Sequence, residues 1–135
     1  MKKVRVFIER GKDGSYGAYM PDDDKLTYSV SGDGATAGEA VEDFYKTYEA
    51  MKDGAREEGW KFEEVEFEFS YDLPSFLTYY ANLISYKGLS SLTGVSVAQL
   101  SQYVSGYRHP SPKTTEKIQK ALNSFGDELS HLQLV

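Results

Sequence analysis

Leu89-Ser90-Ser91-Leu92-Thr93-Gly94-Val95-Ser96-Val97-Ala98-Gln99-Leu100-Ser101-Gln102-Tyr103-Val104-Ser105-Gly106 reads as two short helices hinged at a glycine. The first is apolar at helical spacing and runs into Gly94, where a residue without Cβ takes a left-handed turn at no steric cost. Ser96 has the chemistry and the place to cap the second. Gly106 stops that helix, and Pro110 and Pro112 bar its extension. Helix, glycine turn, capped helix and glycine stop is the pattern of a helix-turn-helix, whose second helix can be laid in the major groove of DNA.

Outward from this motif the chain stays helical. Pro74 suits the first turn of a helix, and Phe76, Leu77, Tyr80, Ala81 and Ile84 mark one face after it. Beyond the motif, a helix starting near Pro112 carries Thr115, Ile118, Ala121, Leu122 and Phe125 inward. A last short segment holds Leu129, Leu132 and Val135. These spacings predict four helices and a last short segment over residues 73–135.

That segment resembles the lambda-repressor-like (Xre-type) DNA-binding domain over about residues 73–130. The likeness is most specific from Gly94-Val95-Ser96 through Gly106-Tyr107-Arg108-His109-Pro110-Ser111. The resemblance implies five short helices around one small core, with Leu89, Val95, Leu100 and Tyr103 or Val104 in that core. It implies that Val97, Ala98 and Gln102 face the groove, where glutamine can pair with adenine and small apolar side chains can meet a thymine methyl. Ser96, Ser101, Arg108, Lys113 and Thr114 would touch phosphates, with helix capping as the other role for the serines and Thr114. Typical members are more basic around this helix. A single module with few phosphate contacts binds weakly, so a homodimer or higher homo-oligomer on two operator half-sites is expected. Leu129, Leu132, Leu134 and Val135 are either its contact or ordinary core.

The net charge of −6 looks wrong for a DNA binder until it is divided. Residues 1–72 hold ten Lys/Arg against eighteen Asp/Glu, a balance of −8, and residues 73–135 hold five against three, a balance of +2. The sign changes at Tyr71-Asp72-Leu73-Pro74, which suggests two modules with different partners, 1–72 and 73–135. An acidic half can also be merely well solvated. The absence of cysteine excludes disulfides, thiolate metal sites and cysteine nucleophiles. The apolar run after the charged N-terminus is too short for a signal peptide, and no segment is long enough to span a bilayer. A soluble, cytoplasmic protein is expected.

In the acidic half, Val4, Phe7 and Ile8 lie in a β-rich run, Lys12-Asp13-Gly14 is a turn, and Tyr16 to Met20 is a second strand ended by Pro21. After Asp22-Asp23-Asp24, alternation at Leu26, Tyr28 and Val30 predicts a third strand, with Asp33-Gly34 as the next turn. Thr36-Ala37-Gly38-Glu39 has capping-box spacing. Ala37, Ala40, Val41, Phe44, Tyr48, Met51 and Ala55 then mark an amphipathic helix ending near Gly59. Phe62, or more surely Val65, begins a strand whose Val65, Phe67, Phe69 and Tyr71 alternate with Glu64, Glu66, Glu68 and Ser70. The order is βββαβ, and the whole chain is α+β.

No catalytic constellation emerges. Asp22-Asp23-Asp24 and the Glu64/Glu66/Glu68 ladder have the oxygens that Mg²⁺ favours, but a carboxylate run in a loop is also simply a solvated turn, and the ladder does not converge on a point. His109 and His131 lack a serine–carboxylate frame. Ser31-Gly32-Asp33-Gly34 is not followed by the Lys-Ser/Thr of a phosphate loop. The expectation is a non-enzyme without metal or cofactor.

Gly14-Ser15-Tyr16, Pro21-Asp22, Ser31-Gly32-Asp33-Gly34 and Thr36-Ala37-Gly38-Glu39-Ala40-Val41 carry a second likeness: in this order they resemble the HicB antitoxin family. That family's Leu-Pro-Gly-Cys segment is represented only by Met20-Pro21-Asp22. The resemblance implies a partial RNase H-like βββαβ sheet that neutralises HicA, a small mRNA-cleaving toxin whose fold is similar to a double-stranded RNA-binding domain. It also implies an antitoxin that represses its own operon. Tyr16, Tyr19, Asp22, Asp23, Asp24 and Tyr28 are the expected toxin contacts. The alternatives are a one-component regulator whose N-terminal sheet senses a metabolite, and a degenerate Mg²⁺-dependent RNase H-like nuclease.

Overall fold

The computed structural model describes residues 1–21 and 25–135, so the expected contacts Asp22, Asp23 and Asp24 lie outside the described residues. The chain divides into two compact units, Met1–Tyr79 and Tyr80–Val135.

The first unit runs β1 (Lys2–Arg10), β2 (Tyr16–Tyr19), β3 (Ser31–Gly34), α1 (Ala37–Glu58), β4 (Val65–Tyr71) and α2 (Leu73–Tyr79). Its four strands lie in the order β3-β2-β1-β4, with β1–β2 and β2–β3 antiparallel and β4 parallel to β1. The period-2 pattern of β1 sends Val4, Val6 and Ile8 to one face, and these register with Phe67, Phe69 and Tyr71 of β4. Onto that face α1 lays Ala37, Ala40, Phe44 and Tyr48, all buried. Phe44 is fully buried and meets Phe67 edge-on at 4.9 Å between ring centres. Large aromatic side chains at that depth dominate the stability of a small core.

The helix ends are set by local chemistry. The Thr36 hydroxyl accepts from the Glu39 amide at 3.1 Å, and the Glu39 carboxylate accepts from the Ala35 amide at 2.8 Å. Together they satisfy two amides that the helix start would otherwise leave unpaired. Gly59, at φ 78°, closes the helix in the left-handed conformation.

The third strand is Ser31–Gly34 and not the expected Leu26–Val30 stretch, so the Asp33-Gly34 turn is a strand end instead. The reason is a close backbone approach. A Cβ on Gly32 would fall 2.5 Å from the Ala40 carbonyl oxygen, and one on Gly34 would fall 2.7 Å from the Ala40 amide nitrogen. Only glycine lets α1 lie directly on β3. Val30 is nevertheless buried, and Leu26 and Tyr28 pack against the same core.

The helix expected from Pro74 toward Ile84 stops at Tyr79. Asp72 starts it, one carboxylate oxygen accepting from the Ser75 amide at 2.9 Å and the other from the Arg10 amide of β1 at 2.8 Å. Leu73 and Leu77 are buried, and α2 counts with the sheet rather than with the residues after it. Between Tyr80 and Ile84 the chain tightens into a turn, the Leu83 and Ile84 amides both bonding the Tyr80 carbonyl.

The second unit holds three helices, α3 (Tyr86–Thr93), α4 (Val97–Ser105) and α5 (Pro112–His131). The expected five are reduced because α2 joins the first unit and the last apolar segment forms no helix of its own: Leu129 lies within α5, and Leu132 to Val135 follow its end without helical structure. Its core is Leu89, Val95, Leu100, Tyr103 and Ile118, with Thr93 buried among them. Of the residues expected inward on α5, only Ile118 is buried; Thr115 is exposed and Ala121, Leu122 and Phe125 are half-buried. Among the described residues no helix is long and apolar enough to cross a membrane.

Candidate nucleic-acid interface

Every helix of the second unit is started by a serine. The side chains of Ser85, Ser96 and Ser111 accept from the amides of Gly88, Gln99 and Thr114 at 3.0, 3.1 and 3.1 Å. Each cap is worth about 1 kcal/mol, which matters for helices of eight or nine residues that would not persist alone. Gly94 at φ 75° and Gly106 at φ 79° end α3 and α4 as the sequence predicts. Within the turn, the buried Thr93 hydroxyl donates to the Leu89 carbonyl at 2.7 Å and accepts from the Val95 amide at 3.1 Å. With Val95 buried beside it, α4 leaves the turn along one defined direction.

On α4, Leu100 and Tyr103 point into the core, and the opposite side presents Val97, Ala98 and Ser101. Val97 is 45% exposed. Gln102 sits half-buried on the shoulder of this face. Its carbonyl accepts from the Arg108 amide at 3.2 Å and the Ser105 hydroxyl at 3.1 Å, folding the Gly106–Arg108 segment back onto the helix end. Ser96 is occupied as a cap, and the Thr114 hydroxyl lies 3.1 Å from that of Ser111 at the start of α5. Arg108 and Lys113 are exposed.

Three cations escaped the expected set, of which Lys120 pairs with Glu116 on α5. Lys87 stands in the first turn of α3, and the Lys117 ammonium lies beside the α3–α4 turn, 3.4 Å from where a Gly94 Cβ would be. Tyr107, 79% exposed, adjoins Arg108. The signal was available, since every Lys and Arg beyond residue 73 falls between 87 and 120.

Among the described residues, the expected toxin contacts Tyr16, Tyr19 and Tyr28 do not share one surface. Tyr16 is a core residue, 6% exposed, because it shares the inward side of β2 with Ala18, and it is withdrawn from the set. Tyr19 points to the face of the sheet opposite α1, its ring 5.8 Å from that of Phe7. Its hydroxyl donates to the Glu9 carboxylate at 2.8 Å, a bond that raises the phenol pKa. Tyr28 belongs to the α1 side, stacked on Phe62 at 4.5 Å with its hydroxyl donating to the Glu63 carbonyl. Burial, then the neighbouring Tyr48 and Glu63, push its pKa to about 12. In the glutamate ladder, Glu64 pairs with Lys52 and Glu68 with Lys3. Among the described residues no group of three or more His, Cys, Asp or Glu is placed to hold a metal ion. A groove of about 660 Å³, open to solvent, runs along the outer side of α1 past Val41, Tyr45, Ala50 and Tyr79.

Residues 81–127 match the family model described as Helix-turn-helix. The match spans α3, α4 and most of α5, so the second unit carries a helix-turn-helix DNA-binding domain, the kind by which transcription regulators hold their operators. No curated protein and no solved structure matches the chain.

Proposed function

We propose that this chain is an antitoxin that represses its own operon. The second unit binds a symmetric operator, and the first holds a HicA-like mRNA-cleaving toxin away from RNA. The observation that carries the reading is the joining, in one chain, of an acidic βββαβ unit to a helix-turn-helix unit of opposite charge. The βββαβ order also supports a partial RNase H-like sheet. The toxin's basic RNA-binding face would be drawn in by the acidic unit, while the exposed Tyr19 with Phe7 supplies apolar area at the contact. No chemistry by this chain, metal or cofactor is required.

Two copies act together on the operator. On α5, Ile118, Leu122, Phe125 and Leu129 recur at alternating spacings of four and three, the seam of a two-helix coil, and Leu132 caps the helix end just beyond it. Ile118 is spent in its own unit, whereas Leu129 and Leu132 are 51% and 57% exposed. Leu129→Glu should leave a monomer by sedimentation with weakened operator affinity; an unchanged dimer removes this seam from the account. The antitoxin role is tested by co-expression with any small basic protein encoded beside this gene. Growth restored by the full chain supports it, and persisting arrest refutes it. The groove along α1 is the observation favouring a ligand-sensing regulator instead, which a metabolite-raised melting temperature would reveal.

A further inference from the structure

Helix α4 carries no charged residue: from Val97 to Ser105 it is Val-Ala-Gln-Leu-Ser-Gln-Tyr-Val-Ser. Leu100 and Tyr103 are turned inward, the Gln99 side chain accepts from the Ser96 hydroxyl at 3.3 Å, and the Ser105 hydroxyl donates to the Gln102 carbonyl at 3.1 Å. This leaves Val97, Ala98, Ser101 and Gln102 as the uncommitted side chains on the face able to meet base edges. We infer that the operator is read at A·T base pairs, with Val97 and Ala98 on thymine methyls and Gln102 on adenine. The inference rests on the DNA-binding reading above and deepens it by naming the bases.

The chemistry of the four base pairs decides this. Guanine shows two acceptors in the major groove and is matched best by the paired donors of arginine or lysine; cytosine shows a donor and is matched by a carboxylate. Helix α4 offers neither. Adenine shows one acceptor beside one donor, which a glutamine amide satisfies with its own donor and acceptor, and thymine adds a methyl group that only an apolar surface welcomes. An exposed valine at the start of a reading helix is a poor choice for solubility and a good one for that methyl.

Charge is set apart from this face. Lys87 lies at the start of α3, Lys117 beside the α3–α4 turn, Arg108 beyond the end of α4, and Lys113 at the start of α5. Cations placed around a neutral reading helix are suited to phosphates, which fix position without reporting sequence. Base reading and phosphate binding are therefore separable in this unit. Each phosphate-bound cation contributes about 0.9 to the slope of log affinity against log salt, and the neutral side chains contribute nothing to it.

The experiment is selection of a random-duplex library on the full-length protein, followed by affinity measurements on the winning site. The expected half-site is A·T at the positions under α4. Replacing thymine by uracil there, which removes only the methyl, should weaken binding several-fold at an unchanged salt slope. Val97→Ala should reduce that thymine–uracil difference, and Gln102→Ala should cost about tenfold and flatten the adenine preference. Lys87→Ala should instead weaken all duplexes alike and reduce the slope. A selected half-site built on guanine, lost in Arg108→Ala, overturns the inference while leaving the regulator reading intact. Failure to retain any duplex overturns both.

Discussion

In the first unit, α1 rests so closely on β3 that Gly32 and Gly34 admit no side chain, and among the described residues eleven other buried residues close around Phe44. In the second, two short helices and the longer α5 meet over Leu89, Val95, Leu100, Tyr103 and Ile118, and each begins at a serine cap. One unit is specified by long-range packing of a helix on a sheet. The other is specified by punctuation written within a few residues of each helix end. Its core is small, so the caps and the Thr93 clasp carry a larger share of what holds it. The same substitution chemistry should therefore have different consequences in the two units.

Gly32→Ala should break the contrast most severely. The added methyl would collide with the Ala40 carbonyl and the Phe44 backbone, and a helix backbone cannot be moved as a flexible side chain can. We expect a loss of more than about 4 kcal/mol from the first unit. The lone tryptophan, Trp60, packs near Phe62 in that unit, so its fluorescence reports the loss directly. A near-normal denaturation midpoint would show that the approach of α1 to β3 is not the constraint described.

The matching test in the second unit is Leu100→Ala. Leu100 is 1% exposed and lies on the inner side of α4, so truncation should cost about 2–5 kcal/mol and weaken every duplex alike. Ser96→Ala, at the exposed start of the same helix, should cost about 1 kcal/mol through the lost cap. If Ser96→Ala instead weakened DNA binding with unchanged stability, the serine would be a phosphate contact before it is a cap. The melting curve and the binding isotherm together decide between these roles.

How far each unit was legible in the sequence follows the same contrast. Gly94, Ser96 and Gly106 act through their own backbone and that of immediate neighbours, so the helix-turn-helix and its core of Leu89, Val95, Leu100 and Tyr103 are readable in advance. The place of β3 is not. Alternation at Leu26, Tyr28 and Val30 reports burial, which is real for Val30, but pairing is decided by where α1 crosses, and that is a contact between distant elements. Tyr16 fails for a similar reason: a tyrosine in a strand says nothing of which face it takes until the register with β1 is known. The end of α2 at Tyr79 likewise depends on Leu73 and Leu77 being claimed by the sheet unit.

The smallest expected effect sharpens the contrast at high pH. The raised tyrosines Tyr19, Tyr28 and Tyr45 all lie in the first unit, Tyr28 reaching about 12. A raised phenol pKa means that the fold holds the neutral form. The unfolded chain ionises first, near pH 10, so this stabilisation is whole below that pH and is lost as pH rises through about 12. Tyr28→Phe removes the titrating group together with its bond to the Glu63 carbonyl, at a cost near neutrality of about 1 kcal/mol. In exchange, its stability should fall less steeply than the parent's between pH 10 and 12, as followed by Trp60 fluorescence in denaturant. Parallel alkaline losses in parent and variant would place the sensitivity elsewhere in the sheet, with Tyr19 beside Glu9 as the next residue to change.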